Sequence, residues 1–108
     1  MKLLRERVAL ITGAGGGIGR GVALSFAKAG AAVVVAELDE QSGTAVAQEL
    51  KALGARALFV KTDVSSKEHI EAAIQAAVDE FGGLDILVNN AFAPTPNVLL
   101  EDKTDEML

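Results

Sequence analysis

Short apolar runs alternate along this chain with longer segments in which apolar residues recur every three or four positions. The runs are typical of buried strands, and the spaced segments are typical of helices that bury one face. The pattern predicts strands at residues 7–12, 32–36, 57–61 and 84–89. Between these strands it predicts helices at about residues 17–29, 40–53 and 66–81.

Each predicted helix has an apolar stripe that we expect to face a sheet. In chain order the stripe residues are Ile18, Val22, Phe26, Val46, Leu50, Leu53, Ile70, Ile74, Ala77 and Phe81. A glycine follows each helix, where a residue in the left-handed conformation can end it. These glycines are Gly30, Gly54 and Gly82.

Polar residues near the helix starts predict caps. Asp39 precedes the second helix, and Ser65 with Glu68 has the spacing of a capping box at the start of the third. After the last strand, two prolines (Pro94 and Pro96) predict a loop, and Thr104 is placed to cap one more helix.

Apolar strands that alternate with helices of this length predict an α/β fold with a parallel sheet and right-handed crossovers. With 108 residues, the chain has room for one domain, spanning 1–108. Half of the residues are apolar but only 4% are aromatic, so the core must be built from Val, Leu, Ile and Ala.

The charge and residue counts exclude several classes of function. A net charge of −5 disfavours nucleic acid or an anionic membrane as a partner. The chain has no cysteine and one histidine, which excludes disulfides and leaves little for a metal site. The charged first residues lack the apolar centre of a signal peptide, and no apolar run approaches the ~20 residues of a membrane span. We therefore expect a cytoplasmic protein.

A cluster of glycines between the first strand and the first helix is the strongest chemical signal. The predicted site residues here are Gly13, Gly15, Gly16, Gly17, Ile18 and Gly19. Glycines let the backbone approach a bulky anion, and a helix N-terminus attracts phosphate. The turn therefore predicts a bound dinucleotide, held by its pyrophosphate. The alternative is a turn that merely permits the change from strand to helix, since the spacing G-x-x-x-G-x-G departs from the common G-x-G-x-x-G.

Glu37 ends the second strand, 18 residues after Gly19. In a dinucleotide-binding fold, an acidic side chain at this place accepts hydrogen bonds from the adenosine ribose hydroxyls. Its charge repels a 2′-phosphate, so NAD is predicted in preference to NADP. Leu38, the next residue, is included in the predicted nucleotide site. The alternative is that Glu37 is only a polar residue where a strand meets water.

Polar residues also follow the third and fourth strands. Asp63 could accept a hydrogen bond from an adenine amino group, with the Val64 backbone beside it, or could serve a local turn. Asn89 and Asn90 could brace the strand ends or line a ribose, and for Asn89 bracing is favoured. His69 is interpreted as a solvated or capping residue.

Taken together, these residues resemble the short-chain dehydrogenase/reductase family, in the N-terminal half of its sequence. The resemblance rests on Thr12-Gly13 with Gly17-Ile18-Gly19, on Asp63-Val64, and on the segment from Gly83 to Ala91. It implies a Rossmann-type, doubly wound sheet with strand order 3-2-1-4, the first two helices on one face and the third on the other. It also implies NAD(P)-dependent oxidation of alcohols or reduction of carbonyls.

The resemblance assigns roles within a nucleotide cleft. It implies that Gly13, Gly17, Ile18 and Gly19 bind the pyrophosphate. It assigns Glu37 to the ribose and Asp63 with Val64 to adenine. It places Asn90 and Ala91 on the nucleotide side of the cleft.

The sequence departs from the family pattern at two points. Phe92 stands where the family has a glycine, so we expect weaker cofactor binding than in a Phe92→Gly variant. The family's proton-transfer Tyr and Lys belong to a later part of the family sequence, and this chain has no tyrosine. We therefore expect a domain that is incomplete relative to the family and inactive by itself.

Two other classes of function remain open. One is a non-catalytic dinucleotide-binding module, and the other is an assembly subunit that has lost its ligand. We also expect the fourth strand to be an edge that recruits a second copy or a partner chain.

Overall fold

The strands and helices alternate strictly in the computed structural model, which describes residues 3–90. The strands are β1 (Val8–Thr12), β2 (Ala32–Glu37), β3 (Ala57–Lys61) and β4 (Ile86–Val88). The helices are α1 (Gly17–Lys28), α2 (Glu40–Ala52) and α3 (Lys67–Phe81). The predicted loop at Pro94 and Pro96 and the predicted cap at Thr104 lie outside the described residues.

The four strands form one parallel sheet in the order β3-β2-β1-β4. This confirms the predicted α/β fold and the strand order 3-2-1-4. The two central strands are buried along their length, except for the half-buried Glu37 at the end of β2. Burial on both faces explains why their sequences are continuous apolar runs rather than alternating ones.

The helices cover the two faces of the sheet. On one face, α1 and α2 pack over Ile11, Val33 and Val35, and on the other α3 packs over Leu10 and Val34. This confirms the predicted division of the helices between the two faces. Alternate residues of each central strand thus supply the two halves of the core.

Small residues form the most buried parts of the faces that α1 and α3 turn to the sheet. Ala23 and Ala27 of α1 are buried, whereas Val22 and Phe26 are only partly buried beside them. In α3, Ala73 and Ala77 are buried in the same way, with Ile74 and Phe81 at the margin of the core. Alanines allow the helix backbone to approach the sheet, and the larger apolar side chains fill the space on either side.

Two residues of the predicted stripes were placed wrongly. Ile18 is 78% exposed because it lies in the first turn of α1, away from both apolar clusters. Leu53 is 51% exposed because α2 ends at Ala52, so this residue follows the helix as its C-cap.

The predicted ends of most elements differ from the observed ones by one residue, and the fourth strand and the cap of α3 also need correction. The fourth strand covers Ile86–Val88 rather than 84–89. The cap of α3 is Ser66, not Ser65, because the Ser66 side chain accepts a hydrogen bond from the His69 amide. The predicted cap of α2 is confirmed, since Asp39 accepts from the Gln41 amide.

Candidate functional site

The predicted site residues follow the carboxyl ends of the strands, which meet at one edge of the sheet. In the sheet register, Thr12 lies opposite Ala36, and Glu37 lies opposite Lys61. On the other side of β1, β4 ends at about the same level, since its last residue, Val88, pairs with Ile11. This edge of a parallel sheet is where α/β proteins bind ligands.

The glycine-rich turn leaves β1 in conformations that favour glycine. Gly13 has a φ of 64° and Gly17 a φ of 58°, in the left-handed region that other residues rarely adopt. The Gly13 amide still pairs with β2, donating to the Ala36 carbonyl at 2.8 Å. The turn is therefore anchored to the sheet at its start and free to bend immediately afterwards.

Gly19 is required by space rather than by its backbone angles. A Cβ atom at this position would lie 2.1 Å from the Gly13 carbonyl oxygen and 2.7 Å from Asn90 Nδ2. The absence of a side chain lets the first turn of α1 lie against the turn that precedes it. The Asn90 amide group also donates to the Gly13 carbonyl at 3.3 Å, so the ends of β1 and β4 are tied together here.

The N-terminus of α1 differs from those of the other helices. Its N-cap is Gly16, which has no capping side chain, and its first turn has no acidic residue. The caps of α2 and α3 are Asp39 and Ser66, and an acidic residue follows in the first turn of each. The partial positive charge and amide donors of α1 are therefore not offset by these usual side chains.

Glu37 lies directly against the glycine-rich turn. Its Oε1 accepts a hydrogen bond of 2.9 Å from the Gly15 amide, and its Oε2 accepts one of 3.0 Å from the Asp39 amide. Both carboxylate oxygens are thus held by the backbone. The structure brings together the glycines and the acidic residue that the sequence predicted as one site.

Thr12 joins the ends of β1 and β4. Its hydroxyl accepts a hydrogen bond of 2.9 Å from the backbone amide of Asn90 and donates one of 3.3 Å to Asn89 Oδ1. The bracing role predicted for Asn89 is confirmed by this contact. Asn90 braces the turn as well, and the next residue of its motif, Ala91, lies outside the described residues together with Phe92.

Asp63 forms a local turn at the end of β3. Its Oδ1 accepts from the Ser65 hydroxyl at 2.6 Å and from the Ser65 amide at 2.9 Å. These bonds, the side-chain one first, lower the pKa of Asp63 below its usual value, with a smaller contribution from His69. The local-turn interpretation is thus confirmed, and the predicted adenine contact stays a prediction.

His69 holds the same turn from the other side. Its Nδ1 accepts a hydrogen bond of 3.0 Å from the Asp63 amide. This agrees with the capping interpretation and leaves the imidazole without a catalytic assignment. The neighbouring Thr62 amide donates to the Glu37 carbonyl at 3.0 Å, which connects this turn to the end of β2.

Two apolar residues of the predicted site are exposed at this edge. Ile18 lies in the first turn of α1, and Leu38, which is 55% exposed, follows β2. Val64 lies in the turn after β3 and is partly buried. Their assignment to the nucleotide stays a prediction.

Two features of the site were not predicted from the sequence. One is the position of Ser42, and the other is the set of hydrogen bonds that the Thr12 hydroxyl makes with Asn89 and Asn90. Ser42 belongs to the first turn of α2, and its hydroxyl would lie 2.6 Å from a Cβ atom at Gly15. Nothing in the local sequence marks Ser42, because only the packing of α2 brings it to the turn. Thr12 was singled out by the motif, but its side-chain contacts depend on the register of β4.

Two kinds of feature are absent from residues 3–90. They contain no group of three or more His, Cys, Asp or Glu side chains placed to hold a metal ion. No helix in this range is long and apolar enough to cross a membrane.

Comparison with known proteins gives consistent results. A family model described as short chain dehydrogenase matches residues 7–107. A short chain dehydrogenase/reductase, astE of Aspergillus oryzae, is 52% identical over 89 residues, which are 82% of this chain and 34% of that protein. The chain spans between 33% and 41% of the length of the curated relatives compared.

Solved structures match the fold as well. A short chain dehydrogenase from Mycobacterium avium has a TM-score of 0.80 and 37% identity, over 92% of this chain and 39% of that one. A hydroxysteroid dehydrogenase from Escherichia coli has a TM-score of 0.75 and 38% identity, over 78% of this chain and 35% of that one.

Proposed function

Because this chain belongs to the short-chain dehydrogenase family, we propose that it binds NAD at the carboxyl edge of its sheet. We propose further that this site serves the oxidation of a small alcohol or the reduction of a carbonyl compound. The observation that carries the proposal is the 2.9 Å hydrogen bond between the Gly15 amide and Glu37 Oε1. An acidic side chain is thereby within reach of the glycine-rich turn, as recognition of both ribose and pyrophosphate requires.

The turn has the space and the donors that a pyrophosphate needs. A Cβ atom at Gly16 or Gly17 would meet nothing within 4 Å, so the turn is open on this side. The helix that begins here has no capping side chain and no acidic residue in its first turn. Amide donors at a helix N-terminus are well suited to a diphosphate. These features support the assignment of Gly13, Gly17, Ile18 and Gly19 to the pyrophosphate.

Glu37 is proposed to select NAD over NADP. Its two oxygens are oriented by backbone amides, and a carboxylate has further lone pairs to accept hydrogen bonds from ribose hydroxyls. A 2′-phosphate would bring a second negative charge to this point, which is unfavourable. The glycine-rich turn and Leu38 supply no Lys or Arg to offset that repulsion.

The remaining predicted residues are proposed to complete the nucleotide site. Asp63 and Val64 are assigned to adenine, Leu38 to the adenosine side of the cleft, and Asn90 with Ala91 to the nucleotide side. When bound, the nicotinamide supplies hydride transfer. The residues of this chain bind and orient the dinucleotide, and proton transfer to the substrate is not assigned to any of them. The chain has no tyrosine, and we propose that these 108 residues alone bind NAD without turnover.

Calorimetric titration with NAD and NADP tests this proposal. We expect saturable NAD binding, and we expect Glu37→Gln to weaken it by about tenfold because bonds to a charged acceptor are lost. Binding of NADP should be unchanged or stronger, so the preference for NAD narrows. Glu71→Gln, which changes an exposed glutamate of α3, is the control for loss of one charge. Absence of NAD binding, or an unchanged preference in Glu37→Gln, would contradict the proposal.

A further inference from the structure

Gly15 lies within the glycine-rich turn but is not one of its spaced glycines, Gly13, Gly17 and Gly19. Its φ lies outside the left-handed region, so its backbone conformation does not call for glycine. Glycine is required here because there is no space for a side chain. A Cβ atom at residue 15 would lie 2.7 Å from both Cγ and Oε1 of Glu37 and 2.6 Å from Ser42 Oγ.

The neighbours of this missing Cβ atom are side chains. Around Gly19 the nearest atom is a backbone carbonyl oxygen, which cannot move without disturbing β1. Around Gly15 the neighbours are the Glu37 side chain and a serine hydroxyl, which can rotate away. A side chain at residue 15 would therefore leave the fold intact and displace the Glu37 carboxylate.

That displacement would break a specific contact. Glu37 Oε1 accepts its hydrogen bond from the amide of Gly15 itself. Gly15 therefore donates a hydrogen bond to the Glu37 carboxylate, and any side chain at the same position would displace that carboxylate.

We propose that Gly15 is a positioning residue for Glu37, since its lack of a side chain lets the carboxylate rest against the turn before any cofactor binds. The contact with Gly15 fixes Oε1, and the Asp39 amide fixes Oε2 at 3.0 Å. An acceptor that is already oriented loses less freedom when the ribose binds. This last step rests on the proposed binding of NAD, whereas the contact itself does not.

The first test needs no cofactor. In the proton–nitrogen NMR spectrum of the intact chain, Glu37→Ala should shift the Gly15 amide proton upfield, because its acceptor is lost. In a Gly15→Ala background, the same Glu37→Ala change should leave the chemical shift of the residue 15 amide proton unchanged. If the residue 15 amide proton of the Gly15→Ala variant still responds to Glu37→Ala, the proposal is overturned.

The second test is a double-mutant cycle on NAD affinity. Gly15→Ala should weaken NAD binding by about tenfold when Glu37 is present. In the Glu37→Ala background it should change affinity by less than about twofold. The control is Gly21→Ala in α1, where a Cβ atom would meet nothing within 4 Å and no change in affinity is expected.

The two tests separate this inference from the proposed function. If the NMR result holds but no variant and no unmodified chain binds NAD, the contact stands and the proposed function is wrong. If the unmodified chain binds NAD and Gly15→Ala binds it equally well, the positioning role is wrong and the proposed function stands.

Discussion

At the scale of single residues, the edge of the sheet where the strands have their carboxyl ends is held together by side chains that hydrogen-bond to the backbone. Glu37 accepts from the amides of Gly15 and Asp39, and Asn90 donates to the Gly13 carbonyl. Each of these bonds links a loop after one strand to its own or a neighbouring loop. The edge is thus shaped in part by hydrogen bonds within the chain itself.

Gly19→Ala should destabilise the fold. A Cβ atom would lie 2.1 Å from a backbone oxygen, so β1 or α1 must shift, and we expect a loss of about 2–3 kcal/mol in the free energy of unfolding. Urea denaturation followed by circular dichroism measures this. Gly21→Ala, two residues later in the same helix, has open space and should stabilise the fold by up to ~1 kcal/mol. Equal effects of the two substitutions would contradict the close packing inferred at Gly19.

The Asp63 turn predicts a pH effect with a definite sign. Bonds from Ser65 lower the pKa of Asp63 in the folded state, so the turn is stabilised above the unfolded pKa and loses this contribution as pH falls through the folded pKa. Ser65→Ala should raise the Asp63 pKa towards its usual value. An NMR titration of the Asp63 carboxyl carbon measures this, with Ser25→Ala in α1 as the control. A Ser65→Ala titration that matches the unmodified chain would refute the assigned cause.

At the scale of elements, apolar runs and helical spacing were sufficient to predict every strand and helix of residues 3–90. The predicted third strand has the observed bounds, and the other elements differ at their ends. The errors occur where tertiary packing decides the outcome. The predicted fourth strand also included Leu84, Asp85 and Asn89, whereas only Ile86–Val88 pair with β1 in the sheet register.

The cap of α3 shows the limit of local signals. Ser65 and Ser66 are adjacent, and the spacing of Ser65 to Glu68 matched a capping box. In the structure Ser65 is bound to Asp63, and Ser66 takes the cap. The choice depends on the turn that Asp63 forms, which a motif of four residues does not include.

Ser66→Ala should cost about 1 kcal/mol in the free energy of unfolding, because the His69 amide loses its acceptor. Ser65→Ala is the matched comparison and should cost less, because it removes an exposed bond to Asp63 and leaves the cap of α3 intact. Thermal or urea denaturation of the two variants side by side measures the difference. A larger loss for Ser65→Ala than for Ser66→Ala would contradict the assignment of the cap to Ser66 and favour Ser65, as the sequence predicted.

The candidate site was predictable to the extent that motifs determine it. The turn glycines and Glu37 were found from their order and spacing, and the structure brings them together. Ser42 was not found, because it comes close to Gly15 only through the tertiary packing of α2. The role of Gly15 was also hidden, since a glycine kept for space has the same letter as a glycine kept for its backbone angles.

At the scale of the whole molecule, the sheet is asymmetric. β1 and β2 have neighbours on both sides, whereas β4 pairs only with β1 among the described residues. Asp85 secures the start of this short strand, accepting from the Val8 amide at 2.8 Å and donating its own amide to the Val8 carbonyl at 2.9 Å. The strand is therefore well attached on one side, and no strand within residues 3–90 pairs with its other edge.

We expect this edge to make the 108-residue chain self-associate at micromolar concentration, and Leu87 to contribute to the contact. Leu87 lies in the middle of β4 and is 54% exposed, and a lysine on an edge strand opposes further pairing. Leu87→Lys should therefore shift the chain towards monomer in sedimentation velocity runs over a range of concentrations. Leu53→Lys is the matched control, because Leu53 is 51% exposed but follows α2, outside the sheet. If the unmodified chain sediments as a monomer throughout, or if Leu53→Lys has the same effect as Leu87→Lys, association does not proceed through the β4 edge.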